Sequence, residues 1–353
     1  MSVRELFVAD FRCLQQVDVA LHPALNLIIG PNGSGKTSFL EALYFLGRGR
    51  SFRATRTRGL VRDGQPHFLL RAALDGIPRQ LGVEGGPEGL RLRIDGHSAQ
   101  GLEHLASALP VQVIEPGIHR LVDSGPSQRR SFLDWGVFHV KPSFLDEWRR
   151  YQRALKQRNA VLRQGGKRAE AAMWEDALVA AGTAMHELRT TYLDDLMPRI
   201  NNVSESLLDE PVAVLYQRGW PDDQTLTEAL DANWSRDSRI GHTHVGPQRG
   251  DLQLRFAKKS ARDRVSRGQQ KLLAAALVLA QVGMLAEGSG PRPVLLLDDP
   301  AAELDQTSLQ RLFAVAGALG VQKFITGLDL SLLPEFDERS VFHVEQGVLE
   351  KMV

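Results

Sequence analysis

Between residues 30 and 38 the chain reads Gly30-Pro31-Asn32-Gly33-Ser34-Gly35-Lys36-Thr37-Ser38. Leu27-Ile28-Ile29 end an apolar run just before it, and Phe39, Leu40, Leu43, Tyr44 and Leu46 follow it at helical spacing. The order is strand, glycine-rich loop, helix, with the spacing G-x-x-x-x-G-K-[ST], which commits the chain to an α/β fold. Such a loop wraps a chain of phosphates with backbone N–H groups, and glycine alone lets the backbone come that close. The helix behind it adds a positive partial charge and free donors. Lys36 is expected to reach the β and γ phosphates and the Thr37 hydroxyl to ligate Mg²⁺. The loop does not specify the base, so ATP over GTP rests on other residues.

With 353 residues the chain exceeds one ordinary core and has enough length for two domains. A formal net charge of +1 means that any basic surface must be local. Cys13 is the sole cysteine, which excludes an intrachain disulfide and fits a reducing cytoplasm. Arg4, Glu5 and Asp10 interrupt the start, so a signal peptide is not expected. No apolar run approaches the roughly 20 residues needed to cross a bilayer, and a membrane partner is not expected.

In chain order, Val3 to Phe11 and Val17 to Leu21 read as two strands, and His22-Pro23-Ala24 turns into the strand entering the loop. Arg12 belongs either near the base or ribose of the nucleotide or in a surface salt bridge. Beyond the loop helix come Arg48, Arg50, Arg53, Arg56, Arg58 and Arg62, with no acidic residue from 47 to 62. They form either a solvated surface loop or a contact to the phosphate backbone of DNA, with Arg50, Arg53 and Arg56 as candidates. Residues 66–114 are β-rich, with hairpin signals at Asp75-Gly76 and Asp95-Gly96. Val111-Gln112-Val113-Ile114 reads as a buried strand, and Gln112 is a candidate metal- and water-contacting glutamine.

The character changes near 127. Phe144, Trp148, Tyr151, Leu155 and Leu162 form one helical stripe, and Trp174, Leu178, Ala181, Met185, Leu188, Tyr192 and Leu196 a second that Pro198 should end. Gly165-Gly166 between them makes a helical hairpin. Its first helix and turn are basic, and Arg149, Arg150 and Arg153 are either a solvated face or a DNA-facing arm. Val212 to Tyr216 reads as a strand, and Leu226, Leu230 and Trp234 mark another helix. In His242-Thr243-His244 two histidines stand one residue apart without a third metal ligand in view. Ser266-Arg267-Gly268-Gln269 opens a long apolar helix and is a second anion-binding turn. Val294-Leu295-Leu296-Leu297 is a buried strand ending in Asp298-Asp299. Asp298 is placed to hold Mg²⁺ directly or through water, and Asp299 to orient or deprotonate an attacking water. Glu303-Leu304-Asp305 follows.

Phosphate loop, distant signature turn, acidic strand and Leu-Asp loop follow one another as in ABC-type ATPases. The expected fold is α/β: a discontinuous ABC-type head, 1–118 plus 246–353, built from two sequence-distant lobes, with an inserted helical arm domain at 119–245. Nearly the whole chain resembles the RecF family of bacterial DNA replication and repair proteins, an SMC-like branch of these ATPases. The resemblance is carried by residues 30–37 with Glu41-Ala42, Gly49-Arg50-Ser51-Phe52-Arg53, and Gly125-Pro126 through Arg129-Arg130 to Phe132-Leu133-Asp134-Trp135. Lys156-Gln157-Arg158-Asn159, Gly246-Pro247, the Ser266 turn and Asp298 to Asp305 complete it.

What this resemblance implies is ATP with Mg²⁺ as ligands and binding near junctions of single- and double-stranded DNA. It also implies an ATP-dependent homodimer, and RecO and RecR as partners in loading RecA. Lys36, Asp299 and Ser266 are then the catalytic candidates, with residues 30–38, Arg267, Gly268, Gln269 and Asp305 around the nucleotide. Two departures from the general ABC pattern point to slow turnover: Asp299 stands where a glutamate is usual, and Thr326 stands where a switch histidine is usual. The competing classes are a transporter ATPase subunit, a DNA-processing nuclease and a structural DNA clamp that binds ATP without turnover. Gly246-Pro247-Gln248-Arg249 has no account at this level.

Overall fold

The computed structural model describes residues 2–54, 57–256, 259–260, 265–333 and 338–352. It divides into two units, Met1–Ile118 with Ala275–Val353, and His119–Ala274. The return to the first unit therefore lies at 274/275, not at 246. The physical reason is strand pairing: Asp251–Phe256 pairs antiparallel along its whole length with Val212–Gln217.

The first unit holds two six-stranded sheets. One is parallel except for its edge pair, in the order Val348–Lys351, Ser340–Glu345, Leu25–Ile29, Gln322–Gly327, Val294–Leu297, Val111–Ile114. Its strands at 25–29, 294–297 and 322–327 are buried at every residue, as expected where both faces of a parallel sheet are covered. The other is an antiparallel sheet in the order Leu14–Ala20, Val3–Phe11, Phe68–Leu74, Gln80–Gly86, Gly89–Ile94, His97–Ala99. Here burial alternates along Phe68–Leu74, with one face on the core and one in water. The phosphate-loop helix Lys36–Arg48 packs against both sheets. Phe45 meets Phe11 and Phe68 edge to face, and Phe39 meets Phe324. A helix buried on this many sides must be apolar almost all round, and residues 39–46 carry a single charge, Glu41.

The turn at Asp95-Gly96 has φ of 49° and 82°, the double positive pair of a tight hairpin. Strands 68–74 and 80–86 are joined by the longer stretch 75–79. The helix Leu102–Ala108 is an element that the hydrophobic pattern did not reveal.

The second unit is mixed, not purely helical. It contains helices Pro126–Val140, Phe144–Arg163, Glu175–Leu208, Leu226–Ala232 and Trp234–Ile240, with a three-stranded sheet of Lys259–Ser260, Asp251–Phe256 and Val212–Gln217. The hairpin helices 144–163 and 175–208 pack along each other. Pro198 does not end the second of them. Proline deprives only the carbonyl four residues earlier, at Asp194, of its donor; both residues are exposed, so water can replace it. Beyond the proline, Ile200, Ser204 and Leu207 stay buried and hold the helix. Trp148 leaves the expected stripe and is 39% exposed.

Three buried arginines organise this unit. Arg158, on the basic first helix of the hairpin, is fully buried and binds Glu175 (2.9 Å), Asp237 (2.9 Å) and Thr243 (2.7 Å). Arg189 forms a fork with Asp134 (2.8 and 2.9 Å) and donates to the Pro247 carbonyl (2.9 Å). Arg129 forms another with Asp251 (2.8 and 3.0 Å). This accounts for Gly246-Pro247-Gln248-Arg249. Its short 3-10 turn accepts from Arg189, Gln248 bonds the Tyr151 hydroxyl, and Arg249 donates to the Thr243 carbonyl. His244 Nδ1 lies 2.9 Å from Asp237 Oδ1. Among the described residues no cluster of three or more His, Cys, Asp or Glu could hold a metal.

Candidate functional site

The phosphate loop follows the interior parallel strand Leu25–Ile29, at the carboxyl ends of the strands, where α/β folds place their ligands. Gly30 has φ 152°, and a Cβ there would stand 2.2 Å from the Val344 carbonyl oxygen, so no side chain fits. Gly35 caps the helix at φ 121°, a conformation other residues rarely adopt. Lys36 is buried, and its Nζ donates to the carbonyls of Gly30 (2.8 Å) and Pro31 (3.2 Å). Its charge is thus held across the mouth of the cradle before any ligand is considered.

The strands ending at Ile29, Leu297 and Gly327 are neighbours, so residues just past their ends converge. Thr37 Oγ1 donates to Asp298 Oδ1 at 3.0 Å, and Thr326 Oγ1 donates to the same oxygen at 3.0 Å. The Thr326 hydroxyl also accepts the Asp299 N–H at 2.8 Å. Burial raises the Asp298 pKa above the ordinary carboxylate value, against the hydrogen bonds from Thr37 and Thr326; Asp299 adds to the rise and Arg53 opposes it. An oxygen set of hydroxyl and carboxylate, desolvated and short of positive charge, fits a hard divalent cation of the Mg²⁺ type. Asp299 adopts φ 47° and is half-buried, and its carboxylate accepts no hydrogen bond among the described residues.

The other candidates are placed as follows. Gln112 lies two residues before the end of its strand, buried, with its amide nitrogen donating to Gln281. Arg12 forms a fork with Glu41 (2.9 and 2.8 Å), which is the salt-bridge alternative. Ser266 and Gln269 cap the helix Arg267–Glu287 reciprocally: Ser266 N–H donates to Gln269 Oε1 (3.1 Å) and Gln269 N–H to Ser266 Oγ (3.3 Å). All four residues of that turn are exposed. Asp305 is exposed and caps the helix Gln306–Ala318 through Ser308 (3.0 Å); the Ser308 hydrogen bonds lower its pKa.

Arg50 is exposed and Arg53 half exposed at 51%, whereas Arg56 lies outside the described residues. Arg149, Arg150 and Arg153 fall on one exposed helical face, where Asp146 and Glu147 partly offset the first two at 3.9 and 3.2 Å. Sequence reasoning missed the part of Thr326, which it noted only as a replacement for a histidine. Glu41, named there only as part of the family resemblance, is paired with Arg12, a partner that the sequence did not indicate.

A parallel sheet, its phosphate loop, an acidic strand end beside it and a capped turn opening a distant helix define an ATPase head of the ABC/SMC type. The sequence profile of the RecF/RecN/SMC N-terminal domain matches residues 2–350. The chain belongs to this family, and within it to the RecF proteins. It is 40% identical to the DNA replication and repair protein RecF of Pseudomonas putida strain GB-1, over 98% of this chain and 97% of the relative. It is likewise 40% identical to that of Azotobacter vinelandii strain DJ, over 98% of each. The solved recombination mediator protein RecF with ATP, of the RecFOR pathway, superposes with a TM-score of 0.90 at 25% identity, over 100% of this chain and 98% of that one. An SMC head bound to the C-terminal winged-helix domain of ScpA shares the fold at a TM-score of 0.61 and 15% identity, covering 100% and 97%.

By length and composition alone, helix Arg267–Glu287 is long and apolar enough to cross a membrane, although polar residues interrupt its apolar run. Its most apolar window is 78% buried inside the fold, as in a core helix of a protein that crosses none.

Proposed function

We propose that this chain is an ATP-switched DNA-binding protein of recombinational repair and replication restart, working in the cytoplasm. Two copies close on ATP near junctions of single- and double-stranded DNA and, with RecO and RecR, help load RecA onto gapped DNA. Slow hydrolysis then resets the dimer. The observation that carries this reading is the pairing of a preformed phosphate loop and Thr37–Asp298 cluster with an exposed, capped Ser266 turn in one chain. The similarity over full length to RecF proteins supports the DNA and partner assignments.

In this mechanism residues 30–38 and Lys36 bind the phosphates, and Thr37 with Asp298 holds Mg²⁺. When bound, the ion would supply positive charge against that of the phosphates. Thr326 fixes both aspartates, orienting the Asp298 carboxylate and holding the Asp299 backbone. Asp299 accepts a proton from the attacking water, with a shorter reach than a glutamate. A clamp without turnover is the second reading, favoured by that short side chain.

The Ser266 turn, with Arg267, Gly268 and Gln269, completes the site of the second copy, and Asp305 lies at the same junction. Ser266→Arg places a bulky cation at the capped N-terminus. It should abolish ATP-dependent dimerisation in gel filtration while the monomer still binds ATP within a few-fold of the parent. An ATP-dependent dimer that persists in this variant counts against the two-molecule site.

DNA binding should follow backbone charge, not base sequence. Affinity should fall with salt at a slope of about −0.9 per neutralised phosphate on duplex. Reversing Arg50 and Arg53 to Glu should flatten the log–log slope by about two contacts on that scale, with similar loss on unrelated sequences. An unchanged slope returns the arginine run to a solvated loop.

A further inference from the structure

Glu41 stands on the second turn of the phosphate-loop helix with no exposed surface, yet it gathers three polar side chains. Arg12 grips both of its oxygens (2.8 and 2.9 Å), Ser51 Oγ donates to Oε1, and Arg53 Nη1 stands 3.9 Å from Oε2. Ser51 frames the arginine-bearing loop at the same time. Its hydroxyl oxygen accepts the backbone N–H groups of Arg53 (2.8 Å) and Ala54 (2.7 Å). At the far end of the run Arg12 donates to the Gly59 carbonyl (2.8 Å), and its own N–H to that of Leu60 (2.7 Å).

Arg12 itself has φ 57°, a conformation that persists only where its surroundings enforce it. The turn it sits on touches the phosphate loop: a Cβ added to Gly35 would meet Leu14 at 3.0 Å and Cys13 at 3.3 Å, and Cys13 Sγ lies 3.5 Å from Ser38 Oγ. One buried carboxylate therefore ties together the arginine loop, the Arg12 turn and the helix that begins at Lys36.

We propose that Glu41 and Ser51 are positioning residues that couple the arginine loop to the nucleotide site, so that a DNA phosphate taking Arg53 changes the affinity for ATP. The proposal rests on the reading of Arg50 and Arg53 as DNA contacts. A buried carboxylate has a fixed number of acceptor positions, and its partners share them. Arg53 at 3.9 Å is the loosest of the three, half exposed and free to exchange this carboxylate for a phosphate. Linkage makes the effect reciprocal, so ATP changes DNA affinity by the same factor, about 5- to 150-fold for couplings of the usual size.

The experiment measures binding of a non-hydrolysable ATP analogue to the full chain, with and without a duplex carrying a single-stranded overhang. Parent, Ser51→Ala, Ser51→Thr, Arg53→Gln and Arg53→Glu are compared, each checked by thermal unfolding. The parent should show a coupling factor of about 5 or more. Ser51→Ala should keep the parental affinity for the analogue without DNA within about twofold, while its coupling factor falls toward one, and Ser51→Thr, which restores the hydroxyl, should recover it. Arg53→Gln gives an independent arm and should also lose coupling. A parental coupling factor of one, or Ser51→Ala and Arg53→Gln that both keep the parental factor, overturns the proposal. Arg53→Glu with parental DNA affinity and salt slope overturns instead the DNA reading beneath it. Failure of the coupling alone leaves Arg53→Glu weak on DNA, so the two failures are told apart.

Discussion

Lys36→Ala should lower the affinity for ATP by about 10- to 150-fold, the range that follows from losing a charged hydrogen bond of about 1.5–3 kcal/mol. The expectation rests on where the ammonium is held. Lys36 Nζ bridges the carbonyls of Gly30 and Pro31, inside the curve of the loop and almost out of solvent. The fold loses little, because the helix it opens is anchored by Phe39, Leu40, Leu43 and Phe45 in the core. Titration calorimetry with ATP and Mg²⁺, together with the unfolding midpoint of the variant, checks both halves. Equal affinity for variant and parent would remove the nucleotide assignment of the loop.

Asp298→Asn and Asp299→Asn should separate binding from hydrolysis. Asp298 Oδ1 accepts two hydroxyls, from Thr37 and Thr326, and an asparagine oxygen can still accept both. The substitution therefore removes charge and leaves the local frame. Mg²⁺-dependent ATP binding should fall by about tenfold or more, the scale of a lost charged contact. Asp299 lies one residue further, where the chain leaves the strand, and its carboxylate is not engaged by any described neighbour. General-base assistance is typically worth about 10²–10⁴-fold, so Asp299→Asn should bind ATP and dimerise normally but turn over slower by that factor. Its dimer should outlast the parental one after a pulse of ATP. A parental hydrolysis rate in Asp299→Asn shows that the water is activated elsewhere. Gln112, whose amide nitrogen donates to Gln281, is then the next residue to test.

The elements read best from sequence were those whose signal is local. The phosphate loop declares itself because its glycines meet a steric requirement that no other residue satisfies, visible at Gly30 and Gly35. The strands at 25–29 and 294–297 declare themselves because a parallel sheet covered on both faces needs unbroken apolar runs. The capping pair Ser266–Gln269 is three residues apart and equally local. Failures occurred where a partner is distant in the chain. Arg158 reads as one more charge on a basic helix until Asp237, 79 residues on, closes over it. Pro198 reads as a stop until the buried residues beyond it outweigh one lost backbone bond. The domain return at 246 failed because strand pairing between 212–217 and 251–256 is a non-local choice.

By itself the sequence determined the class of site and its chemistry. A glycine-rich phosphate loop, a paired-acid strand end and a polar turn opening a long helix follow from residue types at fixed spacing, and spacing along a chain is a geometric constraint wherever the backbone is regular. Tertiary structure alone decided which polar groups stay available for chemistry. Asp298 and Thr37 meet across 261 residues because three strands end side by side. Glu41 and Arg158 are consumed by internal pairing, because charges withdrawn from water are retained only where opposite charges meet them. Whether a charged residue binds a ligand or holds the fold depends on what is buried beside it, and burial is a property of the folded whole.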